Sequence, residues 1–339
     1  MVRMMYLQYF GLNTNPFSLT PDPRFLLLTS KHREALAALI LAVTERKGFM
    51  VLSGEAGTGK TTLIRKLLSS IPTAKAQFSV IVNPTLTRAE FLESVLMGFG
   101  ESNVFCSKAQ QLFLLKSILL SAYRQGRTST LVIDEAHLLT QELIEEVRLL
   151  SNFETSEQKL LQIILAGQKE LDTLLTLEAT RSLRQRVAIT MHIDPLETSE
   201  VESYLRNRWE RASATSALPF SEEAITVVAN GSKGIPRLIN VICDAALLNA
   251  YGSGMKEIGP AQVHEVLQDS GLSVIDPVWT EPSLTTSTPP NSVYQSSAQS
   301  VSSPDTTLGT LERYLPRDSK VAMKKKFANW FRTAQSEVK

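Results

Sequence analysis

Cysteine is scarce in this chain, with two residues, Cys106 and Cys243, among 339. They form no C-x-x-C pair or Cys/His cluster, which excludes a disulfide framework and a zinc site of the usual spacing. Both lie in apolar helical stretches. We therefore expect thiols buried in the core of a protein from a reducing compartment.

Long apolar runs are missing as well, and the net charge is small. The longest uncharged apolar stretch, residues 35–43, is far shorter than the roughly 18 residues of a membrane-spanning helix. Residues 1–17 lack the basic-then-apolar order of a signal peptide. The formal net charge is +1, so the chain has no overall polyelectrolyte character. These absences predict a globular cytoplasmic protein.

Residues Gly54 to Thr61 match the pattern G-x-x-x-x-G-K-[ST] at every fixed position. Residues 49–52 before it read as a short buried strand, and the chain from Thr62 onward reads as a helix. In that setting successive N–H groups and the helix N-terminus face phosphate oxygens. Lys60 can reach the β- and γ-phosphates, and the Thr61 hydroxyl can bind Mg²⁺. The predicted nucleotide-binding residues are Gly54, Glu55, Ala56, Gly57, Thr58, Gly59, Lys60, Thr61 and Thr62.

A second motif is an apolar strand, residues 130–133, that ends in two carboxylates. Asp134 can hold the Mg²⁺ shell, and Glu135 can polarise an attacking water. Asp134 to His137 also spell the DEAH box of helicases. That interpretation needs a second domain of the same α/β type, and the chain after about residue 195 is helical and too short for one.

Further polar residues follow the remaining predicted strands. Gln168 comes directly after the strand 160–166, where its side chain would face the γ-phosphate. Arg184 and Arg186 precede the strand 188–193, either as a solvated face or as groups that reach the nucleotide of a neighbouring subunit. Arg237 lies in the first turn of a helix, a poor place for a cation unless an anionic partner is nearby.

We divide the chain into five parts. Residues 1–30 form an aromatic, proline-rich lead-in, expected to be extended rather than helical from residue 6. It either straps the buried helix 31–44 or walls an adenine site through Phe17. Residues 31–195 form the α/β domain and 196–270 a helical domain. In residues 281–310, 18 of 30 residues are Ser, Thr or Pro, so 271–310 is a flexible linker.

The last part, residues 311–339, is a tail with eight basic and three acidic residues, a net charge of +5, which leaves −4 on the rest of the chain. Met323, Phe327, Trp330 and Phe331 lie on one helical stripe beside several lysines. Such a helix suits an anionic membrane surface, a partner groove, or packing back onto the body.

With these residues placed, the chain resembles AAA+ ATPases. It is most similar to the general secretion pathway protein A family and its relatives at exopolysaccharide/exosortase loci. The resemblance covers residues 6–269. It rests on both nucleotide motifs and on five further stretches: Tyr9-Phe10-Gly11-Leu12 with Asn15-Pro16-Phe17, Pro21-Asp22-Pro23-Arg24-Phe25, Leu165 to Leu171, Leu183-Arg184-Gln185-Arg186, and Gly234 to Asn240.

The resemblance implies a five-stranded parallel sheet of order 5-1-4-3-2 with a helical lid, and ATP with Mg²⁺ as ligands. It assigns Gln168 to sensor 1 and Arg237 to sensor 2, and it makes Arg184 or Arg186 a candidate finger. It also implies a ring or nucleotide-dependent homo-oligomer. Secretion-type members continue into a membrane span and a peptidoglycan-binding part, whereas this chain has a linker and a basic tail, which favours the exopolysaccharide type.

Three functions are compatible with this sequence. The first is an ATPase motor or switch in envelope export or polymer assembly, cytoplasmic or attached peripherally to the inner membrane. The second is a transposition-type or other DNA-binding regulator, disfavoured by the acidic body and by the lack of a winged-helix module. The third is a scaffold that binds ATP and scarcely turns it over.

Overall fold

Five parallel strands form the sheet of this protein in a computed structural model that describes residues 2–20, 22–102, 107–213 and 217–270. Their order is β2-β3-β4-β1-β5, which confirms the predicted order. The predicted linker and tail and Cys106 lie outside the described residues. The strands are β1 Phe49–Gly54, β2 Ala76–Ile81, β3 Thr128–Ile133, β4 Leu161–Gly167 and β5 Val187–Ile193.

The central strands β1, β3 and β4 are buried at every position because both faces of the sheet are covered. Neighbouring side chains alternate between two cores, as the pleat requires. In β1, Val51 joins the core on one face and Leu52 the core on the other. The edge strands β2 and β5 are only partly buried.

Helices flank the sheet and follow it. Two predicted capping boxes, at Thr87 with Glu90 and at Ser107 with Gln110, begin α4 and α5 as expected. Pro236 and Pro260 occupy the first turns of α11 and α12. Within the described residues the α-helices are α1 Val2–Tyr9, α2 Ser30–Thr44, α3 Lys60–Ser70, α4 Arg88–Gly98, α5 Lys108–Arg124, α6 Gln141–Leu150, α7 Glu170–Thr176, α8 Arg181–Arg184, α9 Thr198–Ala212, α10 Glu222–Ser232, α11 Pro236–Gly252 and α12 Pro260–Asp269.

One face of the sheet packs against α2 and α3, and the other packs against α4 to α8. Helix α2 was expected to be buried on nearly every side, but Leu41 is 55% exposed. The helix buries one face only, because nothing in the described chain covers its outer side. None of the helices in the described ranges is long and apolar enough to cross a membrane.

A third core joins the lead-in to the helices of the lid, α9 to α12. Tyr6, Phe10 and Phe17 are buried there, together with Trp209. The expectation of an extended lead-in is wrong for its first part, since α1 runs to Tyr9. The prolines begin only at residue 16, so they leave this helix intact.

Cys243 also belongs to the lid core. It is fully buried and carries no disulfide, as its apolar helical setting predicts. Burial raises the pKa of its thiol well above the usual range. Cys243 is therefore a packing residue.

Candidate nucleotide-binding site

The predicted motifs lie together because they follow neighbouring strands. Strands β3, β4 and β1 are adjacent in the sheet, and their carboxyl ends carry Asp134, Gln168 and the phosphate-binding loop, respectively. In open α/β sheets this edge is where ligands bind. The topology therefore brings residues about 75 to 110 positions apart to one place, as the parallel arrangement dictates.

The loop between β1 and α3 has the backbone that its glycines permit. Gly57 has φ +84°, and a Cβ at this position would lie 2.7 Å from Cβ of Arg237. Gly59 has φ +102° and serves as the N-cap of α3. L-residues rarely adopt these angles, so both positions favour glycine. Thr58 is buried, and its hydroxyl donates to the Glu55 carbonyl at 2.9 Å.

Lys60 is 6% exposed, unusual for a lysine. Its Nζ donates to the main-chain carbonyls of Gly54 (2.9 Å) and Glu55 (2.8 Å). Burial lowers its pKa, and the nearby carboxylates, Glu135 and Asp134 foremost, partly oppose this shift. The ammonium is thus held inside the loop, where the oxygens of a phosphate group can replace the two carbonyls.

A hydrogen bond joins the two nucleotide motifs. The Thr61 hydroxyl donates to Oδ2 of Asp134 at 2.7 Å, and Asp134 is 4% exposed. The other carboxylate oxygen, Oδ1, accepts the main-chain N–H of Glu135 at 3.0 Å. A hydroxyl and a carboxylate in contact provide hard oxygen ligands of the kind that Mg²⁺ binds.

Glu135 occupies a strained turn directly after β3. Its φ of +53° is uncommon for a residue with a side chain. Its Oε2 is buried and has no hydrogen-bond partner within the described residues, although the side chain as a whole is 41% exposed. An unpartnered carboxylate oxygen at this edge of the sheet is free to accept a proton from water.

His137 was noted only as part of the DEAH spelling, and the structure gives it a position in the site. Its Nδ1 accepts the main-chain N–H of Gln168 at 3.4 Å and lies 3.5 Å from Oε2 of Glu135. The imidazole therefore spans the ends of β3 and β4. Lys169, next to Gln168, forms an ion pair with Glu55 of the loop at 2.6 Å. Gln168 directly precedes the residue of this ion pair, and its role as a sensor stays a prediction.

The lid touches the loop through α11. The main-chain N–H of Arg237 donates to the Gly57 carbonyl at 3.3 Å, and its side chain is exposed. No ion pair of this guanidinium occurs within the described ranges. Arg237 therefore lies next to the loop with its charge available, and its role as a sensor stays a prediction.

Phe17 is fully buried in the lid core. Its ring contacts Phe220 edge-on, with centroids 6.2 Å apart, and its N–H is held by the Asn15 side chain. These contacts give it a packing role. Whether it also walls an adenine site stays a prediction.

The two candidate finger arginines differ in their surroundings. Arg186 precedes β5 and donates through Nη1 to Ser151 Oγ (2.5 Å) and to Asn152 Oδ1 (2.7 Å). Arg184, at the end of α8, is exposed and makes no hydrogen bond or ion pair to the residues that the structure describes. Both arginines precede β5, so they lie at the amino ends of the strands. The phosphate-binding loop of their own chain lies at the opposite, carboxyl ends.

His32 is a site residue that the sequence analysis missed. It lies in the first turn of α2 and contacts the loop, with Nε2 3.3 Å from the Thr58 carbonyl. A histidine near a helix start is common and carries no motif, so no signal in one sequence could have identified it.

These residues fit a nucleoside triphosphate with Mg²⁺. The loop has a buried cation and glycine backbone at the point where a Cβ would collide with the lid, and a hydroxyl–carboxylate pair adjoins it. Lys60 and the loop amides would hold the phosphates, and Thr61 with Asp134 would hold the metal. When bound, the metal would neutralise phosphate charge.

Comparisons with known proteins agree with this arrangement. The AAA domain family matches residues 43–175. Over 255 residues, 75% of this chain, the sequence is 39% identical to general secretion pathway protein A of Aeromonas hydrophila. The chain spans about half the length of that relative, 46%.

Solved structures show the same fold at low sequence identity. The Aeropyrum pernix ORC2 protein has a TM-score of 0.60 at 15% identity, over 78% of this chain and 74% of its own. Cdc6p of Pyrobaculum aerophilum has a TM-score of 0.58 at 17% identity, over 75% and 70%. With this sheet order and these motifs in contact, the chain has the fold of the AAA+ P-loop NTPases, and its sequence is similar to that of general secretion pathway protein A.

Proposed function

We propose that the protein binds ATP with Mg²⁺ and hydrolyses it. The observation that carries this proposal is the 2.7 Å hydrogen bond between Thr61 and Asp134, which joins the two motifs at the edge of the sheet. Lys60 adds a buried positive charge beside them. Phosphoryl transfer needs little else from the protein than such positioning and charge.

In this proposal Glu135 activates the attacking water. The carboxylate of Asp134 accepts from Thr61 and from the Glu135 N–H, whereas Oε2 of Glu135 has no hydrogen-bond partner among the described residues. This leaves Asp134 for the metal and Glu135 for the water. Gln168 and Arg237 contact the γ-phosphate from neighbouring elements. The chemistry is general-base hydrolysis, in which the water proton passes to Glu135 as the terminal phosphate leaves ADP.

The direct test is Glu135→Gln, which keeps the shape of the side chain and removes the base. We expect ATP affinity within about threefold of wild type, and turnover lower by about 10²–10⁴, the usual contribution of a general base. Glu265→Gln, which changes an exposed carboxylate on α12, is the matched control. Turnover in Glu135→Gln equal to that of the control would refute the assignment.

We also propose that a neighbouring subunit completes the site. The groups of one chain contact the phosphates from the loop and the lid, and an arginine from another copy would cover the remaining face. Arg184 is the better candidate for this finger, because Arg186 is held by Ser151 and Asn152 of its own chain. A guanidinium stays charged and can bridge two oxygens, which suits it to this role.

Mixing two inactive variants tests this arrangement. Arg184→Ala should keep ATP affinity and lose about 10³-fold or more in turnover, the lower end for arginine fingers. Combined with Lys60→Ala, it should regain part of the activity, because a mixed interface pairs an intact loop with an intact finger. Turnover that does not depend on protein concentration, with no recovery on mixing, would show that one chain holds the whole site.

The likeness to general secretion pathway protein A supports a role in envelope export. The finer assignment to an exopolysaccharide system, with cytoplasmic location and contact with the inner membrane, is our proposal.

Deleting residues 311–339 should leave basal turnover unchanged and abolish sedimentation with anionic vesicles. Equal sedimentation of the two forms would contradict a membrane role for the tail.

A DNA-binding function receives no separate support here. The likeness to ORC2 and Cdc6p is below 20% identity and shows the fold alone. Outside the predicted tail the chain has a net charge of −4, whereas nucleic-acid binding relies on positive charge. DNA retention that decreases steeply with salt concentration would restore this alternative.

A further inference from the structure

His32 lies where the first helix of the α/β domain meets the phosphate-binding loop. Its side chain is 4% exposed, and each ring nitrogen has one polar neighbour. Nδ1 lies 2.8 Å from the Thr29 hydroxyl, and Nε2 lies 3.3 Å from the Thr58 carbonyl oxygen. Thr29 is also the N-cap of α2 and accepts the main-chain N–H of His32. The imidazole is therefore fixed at both ends.

The partners determine which nitrogen carries the proton. A carbonyl oxygen can only accept, so Nε2 must donate to Thr58. In a neutral ring Nδ1 then accepts, and the Thr29 hydroxyl donates to it. Burial lowers the pKa of His32, against the opposing effects of the Thr58 hydrogen bond and of Glu200. A neutral ring protonated at Nε2 satisfies all of these groups.

The hydrogen bond to Thr58 constrains the orientation of one peptide group in the loop. The Thr58 carbonyl and the Gly59 N–H belong to the same planar trans peptide, so they point in opposite directions. Gly59 has φ +102°, and glycine allows such a peptide to rotate more freely than any other residue. With its carbonyl held by His32, the peptide must direct the Gly59 N–H away from α2.

We propose that His32 is a positioning residue for nucleotide binding, which holds the Thr58–Gly59 peptide so that the Gly59 N–H donates to a phosphate oxygen. The phosphate cradle of such loops consists of successive N–H groups that point inward, so one inverted peptide would present a carbonyl oxygen to the anion. This proposal rests on the proposed ATP binding at the loop.

Two substitutions separate the roles of the two ring nitrogens. The amide nitrogen of glutamine can take the place of Nε2, whereas that of asparagine can take only the place of Nδ1. We expect ATP affinity in His32→Gln within about twofold of wild type. In His32→Asn it should be weaker by about three- to tenfold, the size of one hydrogen bond. The loss should appear in KM for ATP more than in kcat, because His32 acts on nucleotide binding.

The tautomer is measured independently of any variant. Imidazole ¹⁵N chemical shifts of the wild-type protein should show a proton on Nε2 and none on Nδ1 at neutral pH. A ring protonated at Nδ1 alone would overturn the proposal, and it would do so even if His32→Asn failed to fold. Equal affinities of the two folded variants would overturn it too. Wild-type protein that does not bind ATP would overturn the proposed function as well, so the two failures are distinguishable.

Discussion

The nucleotide-binding domain and the lid use their buried polar side chains in opposite ways. In the α/β domain Lys60, Asp134 and His32 are buried beside the loop, where their hydrogen bonds shape a binding site. In the lid Arg208 and Tyr204 are buried as deeply, and they bind other parts of the chain. Burial of a polar group therefore does not by itself indicate a functional site. The hydrogen-bond partner of the group shows whether it shapes a binding site or holds two parts of the chain together.

Arg208 shows the second use clearly. The side chain is 7% exposed and donates to the carbonyls of Pro16 (2.5 Å) and Ser18 (3.4 Å) and to the Tyr204 hydroxyl (3.1 Å). Its guanidinium also lies 5.0 Å from the centre of the Phe25 ring. One cation thus attaches the lead-in to α9 through carbonyls and aromatic rings.

The largest effect should come from the site. Lys60→Ala removes the buried ammonium, and we expect a loss of ATP affinity of about 10²–10⁴, because each charged hydrogen bond contributes about 1.5–3 kcal/mol. Thermal stability without nucleotide should change little, because removing the ammonium also removes the cost of burying its charge, which offsets the two lost hydrogen bonds to Gly54 and Glu55. Isothermal titration and a thermal melt measure the two quantities, with Lys116→Ala on the exposed face of α5 as control. Unchanged affinity would refute the site.

The lid should show the reverse pattern. Arg208→Leu leaves the carbonyls of Pro16 and Ser18 and the Tyr204 hydroxyl without their donor. We expect a decrease in the free energy of unfolding of about 2–4 kcal/mol, the usual cost of unpaired buried groups. Arg206→Leu on the same helix removes only an exposed pair with Glu202 and should cost less than about 1 kcal/mol. Equal melting temperatures of the two variants would contradict this use of Arg208.

The smallest effect concerns the contact between the two regions. Gly57 and Gly48 have similar φ angles, +84° and +89°, but only a Cβ at Gly57 would collide with Arg237. Both alanine variants should lose about 1–2 kcal/mol of stability from the left-handed backbone. Gly57→Ala should also bind ATP about tenfold more weakly, equivalent to about 1.4 kcal/mol. Equal ATP affinities would show that the lid contact is not coupled to the loop.

Most of the α/β domain could be predicted from the sequence because its signals are local. The capping boxes, the apolar strands and the glycines of the loop each determine nearby backbone, and parallel topology then brings the strand ends together. The order of the five strands came from the resemblance, since periodicity does not encode it. Cys243 was recognised from its apolar helical setting.

Most of the errors and omissions involve contacts between distant parts of the chain. The lead-in packs with the lid, some 200 residues away, because aromatic side chains can be buried against any apolar surface. His32 and Arg208 act through main-chain carbonyls, which every residue has, so no sequence pattern identifies their partners. The difference between Arg184 and Arg186 likewise depends on Ser151 and Asn152, which lie more than 30 residues away.

The passage of the chain between its two regions limits how far the lid can travel. Leu27 packs against the lid core, and the next residue, Leu28, packs against the core that contains α2. Between Phe25, buried in the lid, and Thr29 at the start of α2, four residues can extend to at most about 14 Å. This short connection therefore limits how far the lid can move away from α2. Any larger swing would pull on the helix start that holds His32 against the loop.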